Sequence, residues 1–408
     1  MNILYAVHAY KPGYRIGGPI LSVSSAAEML VRKGHHVTVF TTSSNLDEEL
    51  DVPLDQPIDV DGVEVWYFRR EEPLQKWLPF VPYLSQSMGF MYSPAMKSAL
   101  NRIMPGIDVV DTHMPFTYPT YAAAHAAFRF SKPLCYHQRG NFDPGRLQFR
   151  GRKKQIYISL VERPIMRRAT TLVALTEAER ASFRALGVDT PCEVVPNGID
   201  IPAARPGAAE RVAARYGIDP GVPMVLFLGR LHPIKGAEKL LDAFEAIQTE
   251  VPRAVLMMAG PDEWRLEASW RNRISRGSGV QRVIFPGMLA GEDKADVLAR
   301  ADLCSLPSSG DGFSMAVLEA LANNTAVMLS PGCHFPEVEK AGAGVVVETD
   351  AARMATALRG LLRDPVRLRA MGEAGKRLVQ EQYSWDAITD RLIEVYERAI
   401  RRTERIEP

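Results

Sequence analysis

The stretch Pro223-Met224-Val225-Leu226-Phe227-Leu228-Gly229-Arg230-Leu231-His232-Pro233-Ile234-Lys235-Gly236 decides how this chain folds. Five apolar residues in a row, Met224 to Leu228, read as a strand covered on both faces, as in a parallel sheet. Gly229 ends the run, and the amphipathic stretch 237–249 that follows reads as a helix. The same unit then recurs. Apolar runs stand at Val255–Ala259, Val283–Phe285, Leu303–Leu306, Ala326–Leu329 and Val345–Val347, with helical patterns between most of them. That alternation is the mark of parallel βαβ units.

An earlier series precedes Pro223, with runs at Ile3–Val7, Val37–Thr41, Val63–Phe68, Val109–Thr112, Leu134–His137, Thr171–Leu175 and Glu193–Val195. Two series predict two doubly wound α/β domains. Gly198, Pro202, Pro206, Gly207, Pro220 and Gly221 punctuate the boundary. The expected division is 1–198, 199–384 and a closing helix within 385–408. The apolar residues at 388, 392, 395, 396 and 399 have helical spacing, and that helix is expected to pack back on the first domain.

A chain of 408 residues exceeds one ordinary core, in keeping with that division. With 46% hydrophobic and 24% charged residues and a net charge of +1, the composition suggests neither disorder nor nucleic-acid binding. The N-terminus reads as a buried strand rather than a secretion signal, and no run of about 18 apolar residues predicts a membrane span. Cys135, Cys192, Cys304 and Cys333 lie far apart without a CxxC pair, so they read as free thiols in a reducing cytoplasm.

Three segments carry candidate chemistry. The loop Gly13-Tyr14-Arg15-Ile16-Gly17-Gly18-Pro19 precedes a helical stretch, 20–31. It reads either as an anion-binding loop or as a tight strand–helix turn. It lacks the GxGxxG spacing of a dinucleotide fold. Arg230 and Lys235 straddle the turn after the first strand of the second domain, and they read either as solvated cations or as ligands for a diphosphate. The third segment is Ser308-Ser309-Gly310-Asp311-Gly312-Phe313-Ser314-Met315-Ala316-Val317-Leu318-Glu319-Ala320. With a helix starting near Ser314, Asp311 falls in the glycine loop and Glu319 about 7–8 Å along the axis from the helix start. The free N–H groups there suit a phosphate or a sugar hydroxyl, with Asp311 on the sugar and Glu319 on a ribose. The plainer alternative is a turn aspartate and a surface glutamate. Glu319, however, interrupts an apolar run, where a carboxylate is costly unless partnered.

Taken in order, these segments resemble the retaining glycosyltransferases of family 4, which share the two-domain GT-B fold. The matching words are Gly17-Gly18-Pro19, Gly34-His35-His36-Val37, Pro196-Asn197-Gly198-Ile199-Asp200, Gly229-Arg230-Leu231 with Lys235-Gly236, Asp311-Gly312-Phe313 with Glu319-Ala320, and Tyr383-Ser384-Trp385. The resemblance implies two Rossmann-like domains facing across a cleft, the second binding a nucleotide-diphosphate sugar and the first an acceptor. Arg230 and Lys235 would hold the diphosphate, Glu319 the ribose and Asp311 the sugar. The backbone of Gly312, Phe313, Ser314 and Met315 would line the pocket, Gly17 and Gly18 would close over it, and Asn197 would shape the hinge side. Family members usually carry Glu where Asp311 stands here, so the carboxylate is one methylene shorter. No metal and no cofactor are expected, the cations stabilising the leaving phosphate. Asp59-Val60-Asp61 has the DxD spacing of metal-dependent transferases, but Gly62 and an alternating strand follow it, as a turn before a strand requires.

Most family members end the strand of the stretch Pro133-Leu134-Cys135-Tyr136-His137-Gln138-Arg139-Gly140 with a histidine followed by glycine, the histidine facing the donor sugar. Here the matching pair is Arg139-Gly140, with His137 two residues earlier. Residues two apart in a strand share a face, so Arg139 is expected to take the sugar- or phosphate-facing role beside His137. The alternative makes Arg139 the start of a basic surface run and His137 a core residue.

That run holds nine Lys/Arg (139, 146, 150, 152, 153, 154, 163, 167, 168) against Asp143 and Glu162. It reads either as a solvated helix face or as a contact with anionic lipid, where a lipid-linked acceptor would be presented. The aromatic stretch 77–92 is equally open between a membrane-dipping loop, an acceptor wall and packing. The expected activity is transfer of a hexosyl group from a nucleotide-diphosphate sugar to a glycan or lipid-linked acceptor in bacterial surface or exopolysaccharide synthesis. The enzyme would be cytoplasmic, with peripheral membrane contact. The alternatives are a GT-B-shaped sugar-nucleotide epimerase and a non-catalytic nucleotide-sugar-binding protein. A pyridoxal-phosphate phosphorylase is disfavoured by length and by the lack of a cofactor-lysine context.

Overall fold

The Val-, Ile- and Leu-rich runs build two separate sheets. A computed structural model describes residues 1–14, 19–45, 48–69, 92–142, 155–276 and 282–405. By its contacts the chain divides into Met1–Gly198 with Trp385–Pro408, and Ile199–Ser384. Gly17, Gly18, the basic residues 146–154 and all of the aromatic stretch but Tyr92 lie outside the described residues.

The main sheet of the first unit contains the strands β1 (Asn2–Ala6), β2 (His36–Thr42), β3 (Pro57–Val60), β4 (Val63–Phe68), β5 (Val109–His113), β6 (Leu134–His137), β7 (Thr171–Ala174) and β8 (Cys192–Val194). Their order is β8-β7-β6-β5-β1-β2-β4-β3. Every pairing is parallel except the antiparallel edge pair β3–β4. β3 escapes a search for apolar runs because it is an edge strand with no buried residue. Asp61 and Gly62, at φ 55° and 85°, form the turn into β4, the geometry of a two-residue hairpin. Asp59 accepts the Gly62 N–H at 3.2 Å and Asp61 pairs with Lys11 at 2.8 Å. Both carboxylates of the DxD-like triplet therefore serve the turn and its anchoring.

The second unit contains β9 (Met224–Leu228), β10 (Val255–Ala259), β11 (Val283–Gly287), β12 (Leu303–Leu306), β13 (Ala326–Leu329) and β14 (Gly344–Val346), in the order β11-β10-β9-β12-β13-β14. All of these pairs are parallel. Among the helices are α1 (Pro19–Arg32), α2 (Ala237–Ile247), α3 (Gly291–Arg300), α4 (Met315–Ala322) and α5 (Trp385–Glu404). α2 follows β9, and α4 lies between β12 and β13, as βαβ crossovers do.

Helix α5 belongs to the first unit. Its buried face, Trp385, Ile388, Leu392, Val395, Tyr396 and Ala399, joins the core formed by Ile3, Tyr5 and Val7 on one side of the sheet. Burying each large apolar side chain contributes about 1.5–3 kcal/mol. Gly198 is fixed by this packing, because a Cβ there would lie 2.4 Å from the Trp385 ring. Lys33, just beyond α1, pairs with Asp390 at 2.8 Å and Asp386 at 3.3 Å on α5. Among the described residues, no helix is long and apolar enough to cross a membrane. All four cysteines are free, and Cys135, Cys304 and Cys333 are buried.

Candidate active site

In the second unit the chemistry-bearing side chains stand on loops leaving the C-terminal ends of β9 and β12, where open α/β sheets bind ligands. The loop after β9 is tied to its neighbour: Gly229 N–H donates to the Ala259 carbonyl and Leu231 N–H to that of Pro261, each at 2.9 Å. One 3-10 turn follows, Pro233–Lys235, and His232 Nδ1 accepts the Ile234 N–H at 3.0 Å. Gly236 ends it at φ 68°, where a Cβ would lie 2.1 Å from the Pro307 carbonyl oxygen. Only glycine lets these two loops touch. Contact is then sealed by Ser309 N–H and Ser308 Oγ, which donate to the Ile234 carbonyl at 2.8 and 3.0 Å.

That contact brings Lys235 to Asp311. The Nζ lies 2.6 Å from Oδ2, and both side chains are largely buried. The Asp311 N–H donates to the Gly332 carbonyl at 2.9 Å, which fixes the aspartate's backbone as well. Arg230, five residues before Lys235, instead reaches Glu263, with Nη1 3.0 Å from Oε2. Both of these groups are exposed, so this pair stabilises little by itself. Burial and the neighbouring Arg230 hold the His232 imidazole below its ordinary pKa.

Ser314 is the N-cap of α4 in extended geometry and makes no side-chain capping bond. The first N–H groups of α4 thus lack a side-chain acceptor from the cap and suit an incoming anion. Phe313 turns its ring into an aromatic cluster, 5.4 Å from Phe335 and 5.9 Å from Tyr383. Met315 is the first residue of α4. Glu319 lies one turn further along, and Lys294 of α3 sets its Nζ 2.8 Å from each carboxylate oxygen. The partner that the apolar run demanded is therefore present.

The first unit holds a second polar cluster at the ends of β5 and β6. Asp111 is fully buried and His113 and His137 nearly so. His137 Nε2 lies 3.0 Å from Asp111 Oδ1. Arg139 donates from Nε to His113 Nδ1 at 3.1 Å, and from Nη1 to Ser22 Oγ at 3.1 Å and Asn197 Oδ1 at 3.0 Å. His137 and Arg139 do meet at one place, but not by strand alternation. β6 ends at His137, and Arg139 and Gly140 take left-handed conformations at φ 47° and 74°. A non-glycine residue held there costs of order 1–3 kcal/mol, which the surrounding contacts must offset. Burial lowers the Arg139 pKa from its ordinary value, while Asp111 acts the other way. Burial, then Arg139 and His137, hold His113 well below its ordinary value.

Asp111, His113 and His137 bring ligand-type atoms within 4.8 Å of one another, a set able to hold a cation. An Arg139 guanidinium already bonded to His113 opposes that use. The space lined by Tyr5, His113, His137, Arg139 and Trp385 measures about 10 Å³, room for one water at most.

Comparison with known proteins places the chain. Residues 17–198 match the glycosyl transferase 4-like domain, and residues 222–364 match glycosyl transferases group 1. Alpha-maltose-1-phosphate synthase of Mycolicibacterium smegmatis is 30% identical over 310 residues, 71% of this chain and 79% of that enzyme. The chain belongs to the group 1 glycosyl transferases. A further relative of this transferase, D-inositol 3-phosphate glycosyltransferase of Segniliparus rotundus, is 31% identical over 243 residues. That match covers 56% of the transferase and 52% of the relative, about half its length. Among solved structures, Anabaena HepE in complex with UDP superposes with a TM-score of 0.75 at 18% identity, covering 97% of the transferase and all of that chain. The fold is GT-B.

Three members of these clusters escaped the sequence reading of the transferase. Lys294 stands 25 positions from Glu319 on a helix rich in charge. Asp111 and His113 sit in a run read only as a strand. A carboxylate in the strand stretch Val109-Val110-Asp111-Thr112 was the available signal, since burying it requires partners.

Proposed function

We propose that this chain is a retaining, metal-independent glycosyltransferase moving a hexosyl group from a nucleotide-diphosphate sugar to a glycan or lipid-linked acceptor in surface-polysaccharide synthesis. The observation that carries the reading is the joined pair of loops after β9 and β12. They hold Lys235 against Asp311 beside a helix start without a side-chain cap. In this reading Lys235 and Arg230 turn to the donor diphosphate, the α4 N–H groups bind phosphate, Glu319 accepts from ribose hydroxyls and Asp311 from the sugar. Cationic groups then stabilise the charge that develops on the leaving phosphate. Arg139 is assigned to the sugar or phosphate and His137 to the acceptor. Because arginine stays protonated, the acceptor proton passes to the donor phosphate or another group. The presence of UDP in HepE makes uridine nucleotides the first donors to try.

Lipid presentation of the acceptor has its own support. Ile156 and Leu160 are 60% and 73% exposed, next to a basic run. Exposed apolar groups beside cations suit an anionic bilayer.

The test is to incubate the protein with UDP-glucose, and separately with GDP-mannose, with and without glycan or lipid-linked acceptors. Transfer or slow donor hydrolysis with retained anomeric configuration is the expected result. A new sugar nucleotide formed from donor alone would establish an epimerase instead. Binding without any turnover would leave a nucleotide-sugar-binding protein. Inverted product would overturn the retaining assignment.

A further inference from the structure

Trp264 is the largest apolar side chain that the described residues of the second unit leave in water, with 57% of its surface exposed. A single exposed apolar group needs no explanation by itself. The placement of this one does. It stands on the loop leaving the C-terminal end of β10, and the sheet order sets β9 and β11 on either side. That is the edge at which open α/β sheets bind ligands.

The loop is held along its length. The Gly260 N–H donates to the Gly287 carbonyl at 2.8 Å, and the Pro261 carbonyl accepts the Leu231 N–H at 2.9 Å. Asp262 turns its carboxylate oxygens to the Leu266 and Glu267 N–H groups, at 2.8 and 3.0 Å, and so caps the helix Glu267–Arg276. Arg265 takes a left-handed conformation at φ 53°. The backbone carrying Trp264 is therefore set before a ligand arrives, which lowers the ordering cost of binding.

Polar groups border the indole. His232, on the loop after β9, lies edge-on to it, with ring centroids 4.9 Å apart and 76° between the planes. Its Nδ1 accepts the Ile234 N–H, so Nε2 carries a proton whether the ring is neutral or charged. Glu263, next to Trp264, pairs with Arg230 at 3.0 Å, and both are about half exposed. Arg230, Glu263 and Lys235 lie close enough to the His232 ring for their charges to act on it. An aromatic face with a donor, a carboxylate and a guanidinium at its border fits a ligand apolar over its face and hydroxylated round its rim. A pyranose ring has that form. Its C–H bonds suit the negative face of an aromatic ring, and each hydroxyl both donates and accepts. A nucleobase is flat on both sides and gains most in a slot. Trp264 offers an open wall instead: among the described residues, no ring but His232 lies against it.

We propose that Trp264, with His232 and Glu263 beside it, forms a stacking platform for a pyranose ring. The inference rests on the reading of these loops as a nucleotide-sugar site. Two sources carry such a ring, the hexosyl group of the donor and a sugar of a glycan acceptor.

Trp264→Ala removes the platform, and Trp264→Phe keeps a smaller one. Both fall on an exposed side chain, so the fold should stand, which melting curves check. UDP, UDP-glucose and the methyl glycosides of glucose, mannose and galactose are titrated into the full chain labelled with fluorotryptophan. The chain has five tryptophans, and the fluorine signal missing from Trp264→Phe is that of Trp264. Arg230 leaving Glu263 for a diphosphate shifts this signal with UDP as well, so UDP is the reference. A further shift with UDP-glucose assigns the donor hexosyl group, and a shift with a methyl glycoside assigns the acceptor sugar. In the first case Trp264→Ala should weaken UDP-glucose binding about three- to tenfold with UDP affinity unchanged. In the second it should weaken the glycoside by that factor and leave both nucleotides unchanged. Trp264→Phe should fall between the wild type and Trp264→Ala. Weaker UDP binding in Trp264→Ala would make the residue a nucleotide contact and overturn the proposal. Nucleotides that bind while no sugar moves the Trp264 signal would overturn the platform alone. A wild type that binds neither nucleotide would overturn both readings.

Discussion

Lys294 holds its ammonium 2.8 Å from each carboxylate oxygen of Glu319, a symmetric clamp joining α3 to α4. The pair is only partly shielded from water, with side-chain exposures of 32% and 23%, so its worth to stability is small. Its worth to binding is larger if Glu319 meets a ribose, because the clamp sets the rotamer of the carboxylate in advance.

Lys294→Met and Glu319→Gln should therefore each weaken UDP binding, by about three- to tenfold. The double variant should lose little beyond the Glu319 change, since the two act as one unit. Isothermal titration of the four proteins with UDP checks this. Strictly additive losses would show that Lys294 contacts the nucleotide independently, and unchanged affinities would remove Glu319 from the nucleotide site.

Lys235 and Arg230 are expected to differ in consequence. Lys235→Ala deletes a cation and strands Asp311, which is only 8% exposed. Affinity for a nucleotide diphosphate should fall by roughly 1.5–3 kcal/mol, with some loss of thermal stability. Arg230→Ala frees an exposed Glu263 and should weaken binding with little effect on the melting midpoint. Asp311→Asn should leave UDP affinity nearly intact while impairing use of the sugar. Titrations with UDP and with UDP-glucose, alongside melting curves, separate the three.

Stability should depend on pH through His8. It is 7% exposed, and burial lowers its pKa from 6.5 to about 4. Above pH 6.5 the residue is neutral whether folded or unfolded and makes no difference. As the pH falls from 6.5 towards 4, the unfolded chain takes up a proton that the native state refuses, so stability declines. The single site accounts for about 1.4 kcal/mol per pH unit. Urea unfolding of His8→Leu between pH 7 and 4 should show a shallower decline than the wild type. Parallel curves would exclude His8 as a source. His113 acts with the same sign, its buried ring also being held below the ordinary value.

The strands were legible because strands covered on both faces are apolar without interruption, and that is visible in one sequence. β3 was not, since an edge strand carries no such run. Lys235 and Asp311 could be named as candidates, but not as partners. Their meeting depends on Gly236 and on a carbonyl at Pro307, a contact between loops remote in sequence. Arg139 was singled out on a rule that ceases to apply where β6 ends. What places it is a left-handed bend together with bonds to Ser22, His113 and Asn197. The Tyr396–Asp111 bond spans 285 positions. Nothing local in either segment announces it, because buried polar groups choose partners by the packing of whole elements.

Helix α5 follows the entire second unit in the chain and yet completes the core of the first. On a ribosome, the second unit would emerge whole while the first still lacked its last helix. Until then Asp111 has no phenolic donor, and the apolar floor near Tyr5 is uncovered. A nascent chain in that state is open to chaperones and proteases, and premature termination shortly before Trp385 would yield a product whose later half is sound and whose earlier half is not. The order of synthesis thus delays completion of the first unit's core until α5 has left the exit tunnel.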